Sequence, residues 1–211
     1  CVGLAQRNRH HLYDVWGHTS RAVAAVPPEP VLRWTMLLHD VGKPPCFTVD
    51  DRGVGHFYGH PKVSAELGGA PRRPPRVDKR TAHQVVTLVQ WHDRDIPRTE
   101  KAIARAVHQL GEGTFRQLLA VKRADNLAQH PDYRYRLADI DRAEEILNTL
   151  LEKQACFSLR DLAVNGRDLT ALGLRGPAIG QTLNALLAQV MDGALPNQRD
   201  ALLNAARHTI G

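Results

Sequence analysis

Residues 37–43 read Leu-Leu-His-Asp-Val-Gly-Lys, and this segment indicates both the fold and the chemistry of the chain. A largely apolar run over residues 34–38 leads directly into His39 and Asp40. Buried polar side chains need a partner, so an imidazole beside a carboxylate at the end of a core segment is typical of a metal site. This pair of ligand types favours manganese, nickel, cobalt, iron or zinc over calcium and magnesium.

The same dipeptide also has a simpler interpretation, in which the His-Asp pair only satisfies the end of a helix. Adjacent helical residues point about 100° apart, so His39 and Asp40 can share an ion only if it lies beside the helix. Further ligands must then come from other segments. Lys43 follows Asp40 by one turn, where its ammonium could hold a phosphate oxygen near such an ion.

Length, composition and charge predict a globular protein. The chain has 211 residues, of which 43% are hydrophobic and 24% are charged, and both values are ordinary for such proteins. No run approaches the roughly 18 apolar residues of a membrane helix and no signal peptide is evident, which predicts a cytoplasmic location. The net charge of +6 is compatible with an anionic substrate or RNA, and equally with an ordinary solvated surface.

The spacing of the cysteines and the identity of the first residue bear on disulfides, zinc sites and processing. Cys1, Cys46 and Cys156 are odd in number and far apart, which predicts neither a disulfide framework nor a thiolate zinc site. A chain that starts at Cys1 rather than Met is expected to be a processed or excised piece.

Apolar periodicity predicts an almost entirely helical chain. The predicted helices cover residues 12–26, 29–39, 81–91, 99–110, 178–190 and 198–207, with further helices that begin at His60 and at a Thr114 cap. Phe-Thr-Val at 47–49 and residues 54–58 flank an Asp-Asp-Arg-Gly turn, which predicts a small hairpin. The glycines and prolines of residues 68–79 predict a connector.

The chain is expected to divide near residue 156. Residues 1–156 would form the main helical domain, and residues 157–211 a small C-terminal helical region. In that region Ser158 is expected to cap a short helix and Asn165-Gly166 to make a turn. Residues 173–177 open the longer helix with free amides that could bind a phosphate of RNA, although a helical cap packed on the main bundle explains the same pattern.

Histidines and aspartates recur on separate predicted helices. In chain order they are His18, His39, Asp40, His60, His92 and Asp125. Each one alone is explained by surface exposure or capping, but the ordered set resembles the HD superfamily of metal-dependent phosphohydrolases. The resemblance implies an all-α HD-domain bundle that binds one or two divalent ions. His18, His39, Asp40 and Asp125 would form one site, and His60 and His92 a second, with Asp40 between them.

Longer motifs narrow the resemblance to the C-terminal HD domain of bacterial CCA-adding tRNA nucleotidyltransferases. The motifs are Phe-Thr-Val-Asp at 47–50, Gly-His-Phe-Tyr-Gly-His at 55–60, Val-Asn-Gly-Arg-Asp-Leu at 164–169 and Asn-Gln-Arg at 197–199. The paired acids and glycine-rich loop of the nucleotidyltransferase head have no counterpart in these 211 residues, so CCA addition by this chain alone is not expected. Prolines within residues 70–76 replace helix that the resemblance leads one to expect.

The resemblance implies hydrolysis of phosphodiesters or phosphomonoesters, with 2′,3′-cyclic nucleotide phosphodiesterase favoured. A metal-bound hydroxide at Asp40 would attack phosphorus, and Lys43, Arg21 and Arg94 would neutralise the phosphate oxygens. Asp93 would carry a proton. Two other interpretations stay open: a tRNA-binding fragment with no turnover of its own, and a regulatory domain that senses a nucleotide in the same pocket.

Overall fold

The computed structural model describes residues 1–8, 12–69 and 78–208. Within these ranges it contains ten α-helices and a single two-stranded sheet, which confirms the predicted all-α class. None of the described helices combines the length and the apolar character that crossing a membrane requires. The proline-rich stretch at residues 70–76 lies outside the described residues.

The structure contains the predicted hairpin and most of the predicted helices in their predicted order, and it adds two helices, Leu137–Glu152 and Gly166–Ala171, that the sequence pattern does not predict. The helices are α1 Val15–Ala25, α2 Pro30–Leu38, α3 His60–Gly69, α4 Lys79–Trp91, α5 Glu100–Leu110, α6 Glu112–Leu127, α7 Leu137–Glu152, α8 Gly166–Ala171, α9 Pro177–Met191 and α10 Arg199–His208. Strands β1 Thr48–Val49 and β2 Gly55–His56 pair antiparallel, which confirms the hairpin.

The chain forms two compact units. The first comprises Cys1–Ile96 and Gly113–Arg142, and the second comprises Pro97–Glu112 and Ala143–Gly211. The second unit therefore contains α5 and most of α7 in addition to the C-terminal helices. The division after residue 156 stays a prediction.

Helix α2 lies between two hydrophobic clusters of the first unit. On one side Leu32 and Met36 pack with buried residues of α1 and α6, such as Ala22 and Val121. On the other side Trp34 and further α2 side chains pack on the cluster that joins α3 and α4. Each fully buried side chain of this size stabilises the fold by about 1.5–3 kcal/mol, so the end of α2 is held firmly where these helices meet.

The second unit has its own core and a well-capped short helix. Leu169, Leu186 and Leu202 are among its buried residues. Asn165 caps α8 and shares a capping box with Asp168, whose carboxylate also pairs with Arg199 at 2.5 Å. The predicted turn at Asn165-Gly166 is thus the start of a helix.

Two predicted helix starts are wrong. Thr114 lies inside α6, which begins at Glu112, because Gly111 with φ of 77° is sufficient to end α5. Ser158 begins a turn rather than a helix. There the carboxylate of Asp161 accepts hydrogen bonds from the amides of Phe157 and Ser158, which closes the turn locally.

Candidate metal centre

His39 and Asp40 come directly after α2, and both are buried. Two positions later the chain passes very close to the start of α3. The amide of Gly42 donates to Ser64 Oγ at 2.9 Å, and a Cβ at Gly42 would lie only 2.6 Å from the Ser64 nitrogen and 2.7 Å from the His60 carbonyl oxygen. The absence of a side chain at Gly42 therefore brings the His-Asp pair next to His60.

One group of ligand atoms is drawn from α1, the end of α2 and α6. His18 Nε2 lies 3.2 Å from His39 Nε2 and 2.8 Å from Asp125 Oδ1. Asp40 Oδ2 lies 3.2 Å from His39 Nε2 and 3.6 Å from His18 Nε2. The four residues expected at one site are thus brought together.

A second group is drawn from the start of α3 and the end of α4. His60 Nε2 and His92 Nε2 lie 3.3 Å apart. Asp40 Oδ1 lies 3.3 Å from the first of these nitrogens and 3.9 Å from the second. Asp40 therefore presents one carboxylate oxygen to each group. His18, His39 and Asp40 have the spacing of residues that could hold an ion, and so do Asp40, His60 and His92.

All four imidazole rings direct Nε2 toward the other ligand atoms and Nδ1 toward the main chain. In each ring Nδ1 lies at hydrogen-bond distance from a main-chain carbonyl oxygen: His18 to Ala128 at 3.3 Å, His39 to Met36 at 2.6 Å, His60 to Phe57 at 2.9 Å and His92 to Val89 at 2.7 Å. A carbonyl oxygen only accepts, so Nδ1 carries the hydrogen and a neutral ring offers an Nε2 lone pair. Lone pairs that face each other need a cation between them, which fits a divalent transition metal.

The electrostatics of the first group favour positive charge. Burial lowers the pKa of His39, but Asp40 and Asp125 outweigh burial and raise that pKa to about 10. Burial also opposes ionisation of Asp40, yet His39 and Lys43 hold its pKa well below the usual range. Burial and the charge on His39 lower the pKa of His92 to about 3, so this ring stays neutral and able to bind a metal. A site that stabilises a proton in this way also stabilises a metal ion.

Asp40 has unused acceptor capacity. Its Oδ2 is buried and has no hydrogen bond of good geometry within the described residues, although Lys43 Nζ lies 2.8 Å away as an ion pair. Lys43 Nζ also donates to Gln6 Oε1 at 2.8 Å. Because an ammonium has three N–H donors, these contacts leave at least one donor of Lys43 for a substrate.

A cleft of about 1120 Å³ adjoins the second group. Lys43, His60 and Asp93 line it together with Arg7 and the hairpin that carries Arg52. Burial raises the pKa of Asp93, the predicted proton carrier. Sequence reasoning missed Gln6, Arg7 and Arg52, since they lie on irregular segments whose place depends on main-chain contacts.

Arg21 and Arg94, which the sequence predicts as phosphate ligands, do not line this cleft. The Arg21 guanidinium lies 3.5 Å from the centre of the Tyr13 ring and donates to the Gly17 carbonyl oxygen. The Arg94 guanidinium lies 4.0 Å from the centre of the Trp91 ring. Their role in phosphate binding stays a prediction.

Comparison with protein families agrees with this ligand arrangement. The model of the HD domain matches residues 9–130, more than half of the chain. The chain belongs to the HD domain family. A second model, described as tRNA nucleotidyltransferase domain 2, putative, matches residues 76–206. HD domains are in general metal-dependent hydrolases that bind divalent ions, and this one keeps His/Asp groups that could hold them.

Two curated proteins are similar to this HD domain over most of its length. The CC-adding tRNA nucleotidyltransferase of Thermus thermophilus is 31% identical over 207 residues, 95% of this chain and 46% of its own. The A-adding tRNA nucleotidyltransferase of Deinococcus radiodurans is 33% identical over 199 residues, 87% of this chain and 44% of its own. The chain thus spans less than half the length of these relatives. No solved structure matches it.

Proposed function

We propose that this HD domain is a metal-dependent phosphodiesterase that acts on nucleotides, with 2′,3′-cyclic nucleotides as the favoured substrate. The observation that carries the proposal is the position of Asp40, whose two oxygens face two histidine pairs beside an open cleft. Phosphoryl transfer depends mainly on positioning and on charge stabilisation, and buried ligands next to a lysine provide both.

The ligand set supports the binding of one or two divalent ions. An ion held by His18, His39 and Asp40, with a second held by Asp40, His60 and His92, would lower the pKa of water and polarise a phosphoryl oxygen. Asp125, whose Oδ1 lies 2.8 Å from His18 Nε2 and 3.6 Å from His39 Nε2, would add a ligand to the first ion.

The other roles fall to side chains of this chain. Lys43 neutralises charge on a non-bridging phosphate oxygen through its remaining N–H donor. Hydrolysis forms a bond from a water oxygen to phosphorus and breaks the bond from phosphorus to a ribose oxygen. Asp93 lines the cleft, and we assign it the transfer of a proton to that ribose oxygen.

The hairpin supports a nucleotide as the substrate. His56 Nε2 lies 2.9 Å from Asp50 Oδ2, and the Tyr58 hydroxyl lies 3.2 Å from His56 Nδ1. The Tyr58 and His56 rings stack with centres 5.2 Å apart and planes 9° apart, while Tyr58 is 79% exposed. A fixed aromatic ring that is open to solvent at a cleft is suited to stack on a nucleobase.

A second candidate function is binding of tRNA without turnover. The two relatives named as tRNA nucleotidyltransferases favour it, as does the match over residues 76–206. In that case the HD domain would contribute contacts to tRNA, and its metal groups would be structural.

The test is hydrolysis of 2′,3′-cyclic AMP and bis-p-nitrophenyl phosphate by metal-stripped protein reloaded separately with manganese, nickel, cobalt, zinc or magnesium. We expect metal-dependent turnover that Asp40→Ala abolishes. Asp200→Ala, which removes an exposed carboxylate from α10, serves as the control and keeps activity. A folded protein that turns over neither substrate with any metal, yet retains tRNA on a filter, would support the second candidate instead.

A further inference from the structure

Two arginines of the cleft have no role in the function proposed so far. Arg7 and Arg52 both line it and both are exposed. Among the residues that the structure describes, neither guanidinium has a carboxylate partner. Positive charges without counter-ions in one cleft favour an anionic ligand.

The backbone of Arg7 is fixed by contacts of Gln6 and by its own carbonyl oxygen, and its side chain takes no part in them. Gln6 is 2% exposed, and its amide donates to the Tyr13 carbonyl oxygen and accepts from Lys43. The Arg7 carbonyl oxygen accepts from the amide of Gly55 at 2.9 Å. A Cβ at Gly55 would lie 2.3 Å from the Gln6 carbonyl oxygen, so Gly55 is what lets the hairpin approach this segment.

The backbone of Arg7 is strained. Its φ is 51°, in the left-handed region that costs an L-residue roughly 1–2 kcal/mol and that glycine adopts without penalty. Strain of this kind is concentrated at binding sites, where the surrounding structure compensates for it. A role for the Arg7 guanidinium in the cleft explains why position 7 is an arginine and not a glycine, which would adopt this φ without strain.

Arg52 lies at the tip of the hairpin, where the turn is fixed by Asp50. Asp50 Oδ1 accepts from the amides of Arg52 and Val54 at 3.0 and 2.9 Å, and Asp50 Oδ2 contacts His56. The carboxylate of Asp50 is therefore engaged by the turn and by His56, and it does not pair with the Arg52 guanidinium. The Arg52 guanidinium is therefore available to bind a ligand in the cleft.

The cleft is also larger than one nucleoside phosphate requires. Its volume of about 1120 Å³ exceeds the roughly 300–1,000 Å³ of typical small-molecule sites. Lys43 lies beside Asp40 and is assigned to the phosphate that reacts. Two further cations in the same cleft indicate a second phosphate on the same substrate.

We propose that Arg7 and Arg52 form a subsite for the 5′-phosphate of a nucleotide whose 2′,3′-cyclic phosphate lies at the metal centre. This inference rests on the proposed function, since it names the substrate class of the same site. The 5′-phosphate belongs either to a free nucleotide, as a monoester that is close to dianionic at pH 7, or to the last internucleotide linkage of an RNA end, as a monoanionic diester. Both present anionic phosphate oxygens at the same ribose position.

The test compares substrates that differ by one group. They are adenosine 2′,3′-cyclic phosphate, the same nucleotide with a 5′-phosphate, and a dinucleotide that ends in a 2′,3′-cyclic phosphate. We expect kcat/KM to be roughly tenfold higher for the 5′-phosphorylated nucleotide, as one charged hydrogen bond provides. Arg7→Gln and Arg52→Gln each reduce this ratio toward one. A similar preference for the dinucleotide assigns the subsite to RNA ends, and its absence assigns it to free nucleotides.

The matched control is Arg33→Gln, which removes the same charge from an exposed position of α2 that does not line the cleft. It keeps the ratio, since only a local contact distinguishes the two substrates. A wild-type ratio near one, or an equal loss in Arg33→Gln, would overturn the subsite.

A binding measurement separates failure of the subsite from failure of the proposed function. If wild-type protein turns over no substrate, the phosphodiesterase proposal fails, but calorimetry with adenosine 3′-monophosphate and adenosine 3′,5′-bisphosphate still reports on the two arginines. Tighter binding of the bisphosphate, lost in both arginine variants, supports the subsite. Equal affinity for the two nucleotides contradicts it.

Discussion

Lys122 Nζ donates to the main-chain carbonyl oxygen of His92 at 2.7 Å and also to that of Arg94. Lys122 precedes Asp125 by one turn of α6, so a single helix turn provides a ligand of the first group and fixes the backbone of a ligand of the second. This contact couples the geometry of the two groups.

Replacement of Lys122 by methionine should therefore weaken the second group selectively. The variant leaves the partly buried carbonyl oxygen of His92 without its donor, which costs about 1–3 kcal/mol, whereas the exposed carbonyl oxygen of Arg94 can bond to water instead. We expect the bound metal per protein to fall, as measured by elemental analysis after dialysis, while Lys122→Arg retains more of it. Lys101→Met removes an exposed lysine of the second unit and is the control. Unchanged metal content in Lys122→Met would contradict the coupling.

Gly42→Ala should disturb the centre through packing alone. The new Cβ would press on the Ser64 nitrogen and the His60 carbonyl oxygen, and overpacking of this kind costs about 1–3 kcal/mol. Urea denaturation should show a lower midpoint, and metal affinity should fall with it. Gly180→Ala provides a sharp comparison, because a Cβ there meets nothing within 4 Å inside α9 and should stabilise the helix by roughly 0.5–1 kcal/mol. Equal stability of the two variants would show that Gly42 is not a required close approach.

Tyr58→Ala should raise KM for nucleotides more than for bis-p-nitrophenyl phosphate. A base that stacks on an aromatic ring gains about 1–3 kcal/mol, and bis-p-nitrophenyl phosphate has no nucleobase. The measurement is KM for 2′,3′-cyclic AMP against KM for the artificial ester. Tyr135→Ala, which removes another exposed tyrosine of the first unit outside the cleft, should change neither value. If both esters are affected alike, Tyr58 is structural.

The pair Asp168 and Arg199 gives the second unit a predictable response to acid. The hydrogen bond from the Asn165 amide, followed by Arg199, lowers the pKa of Asp168. A carboxylate with a lowered folded-state pKa stabilises the fold above its unfolded pKa of about 3.9, and this contribution is lost as the pH falls through the lower folded value. Thermal unfolding of Asp168→Asn should therefore lie below wild type at pH 7, and the two curves should converge toward pH 3. A constant difference would contradict this assignment.

The sequence predicts more of the metal centre than of the cleft. His18 lies in α1, and His39 and His92 directly follow α2 and α4, which are helices with clear apolar periodicity. The resemblance of their order to the HD superfamily is what predicts that these histidines meet. Arg7 and Gln6 lie in a segment without periodicity, which is held by a main-chain hydrogen bond to Gly55. Contacts of this kind depend on two distant segments at once, and no local pattern reports them.

The helix boundaries also show that local sequence patterns do not report contacts with other residues. Thr114 has the chemistry of a cap, but the positive φ of Gly111 ends α5 early enough for α6 to start at Glu112. Ser158 also has the chemistry of a cap, yet Asp161 closes a turn around it before a helix can form. In both cases the competing residue lies three positions away, where cap preferences alone do not discriminate.

The orientation of the ligand rings has a consequence for how such a centre changes over time. His39, His60 and His92 each bond to the carbonyl oxygen of the residue three positions earlier, in the same stretch of chain. The tautomer of these three rings is therefore set by the peptide backbone and does not depend on a neighbouring side chain that a mutation could replace. It is retained wherever the local helix or turn is retained. Substitutions around the centre can therefore accumulate without rotating these imidazoles, and the surrounding cleft is free to diversify while the coordination chemistry is retained.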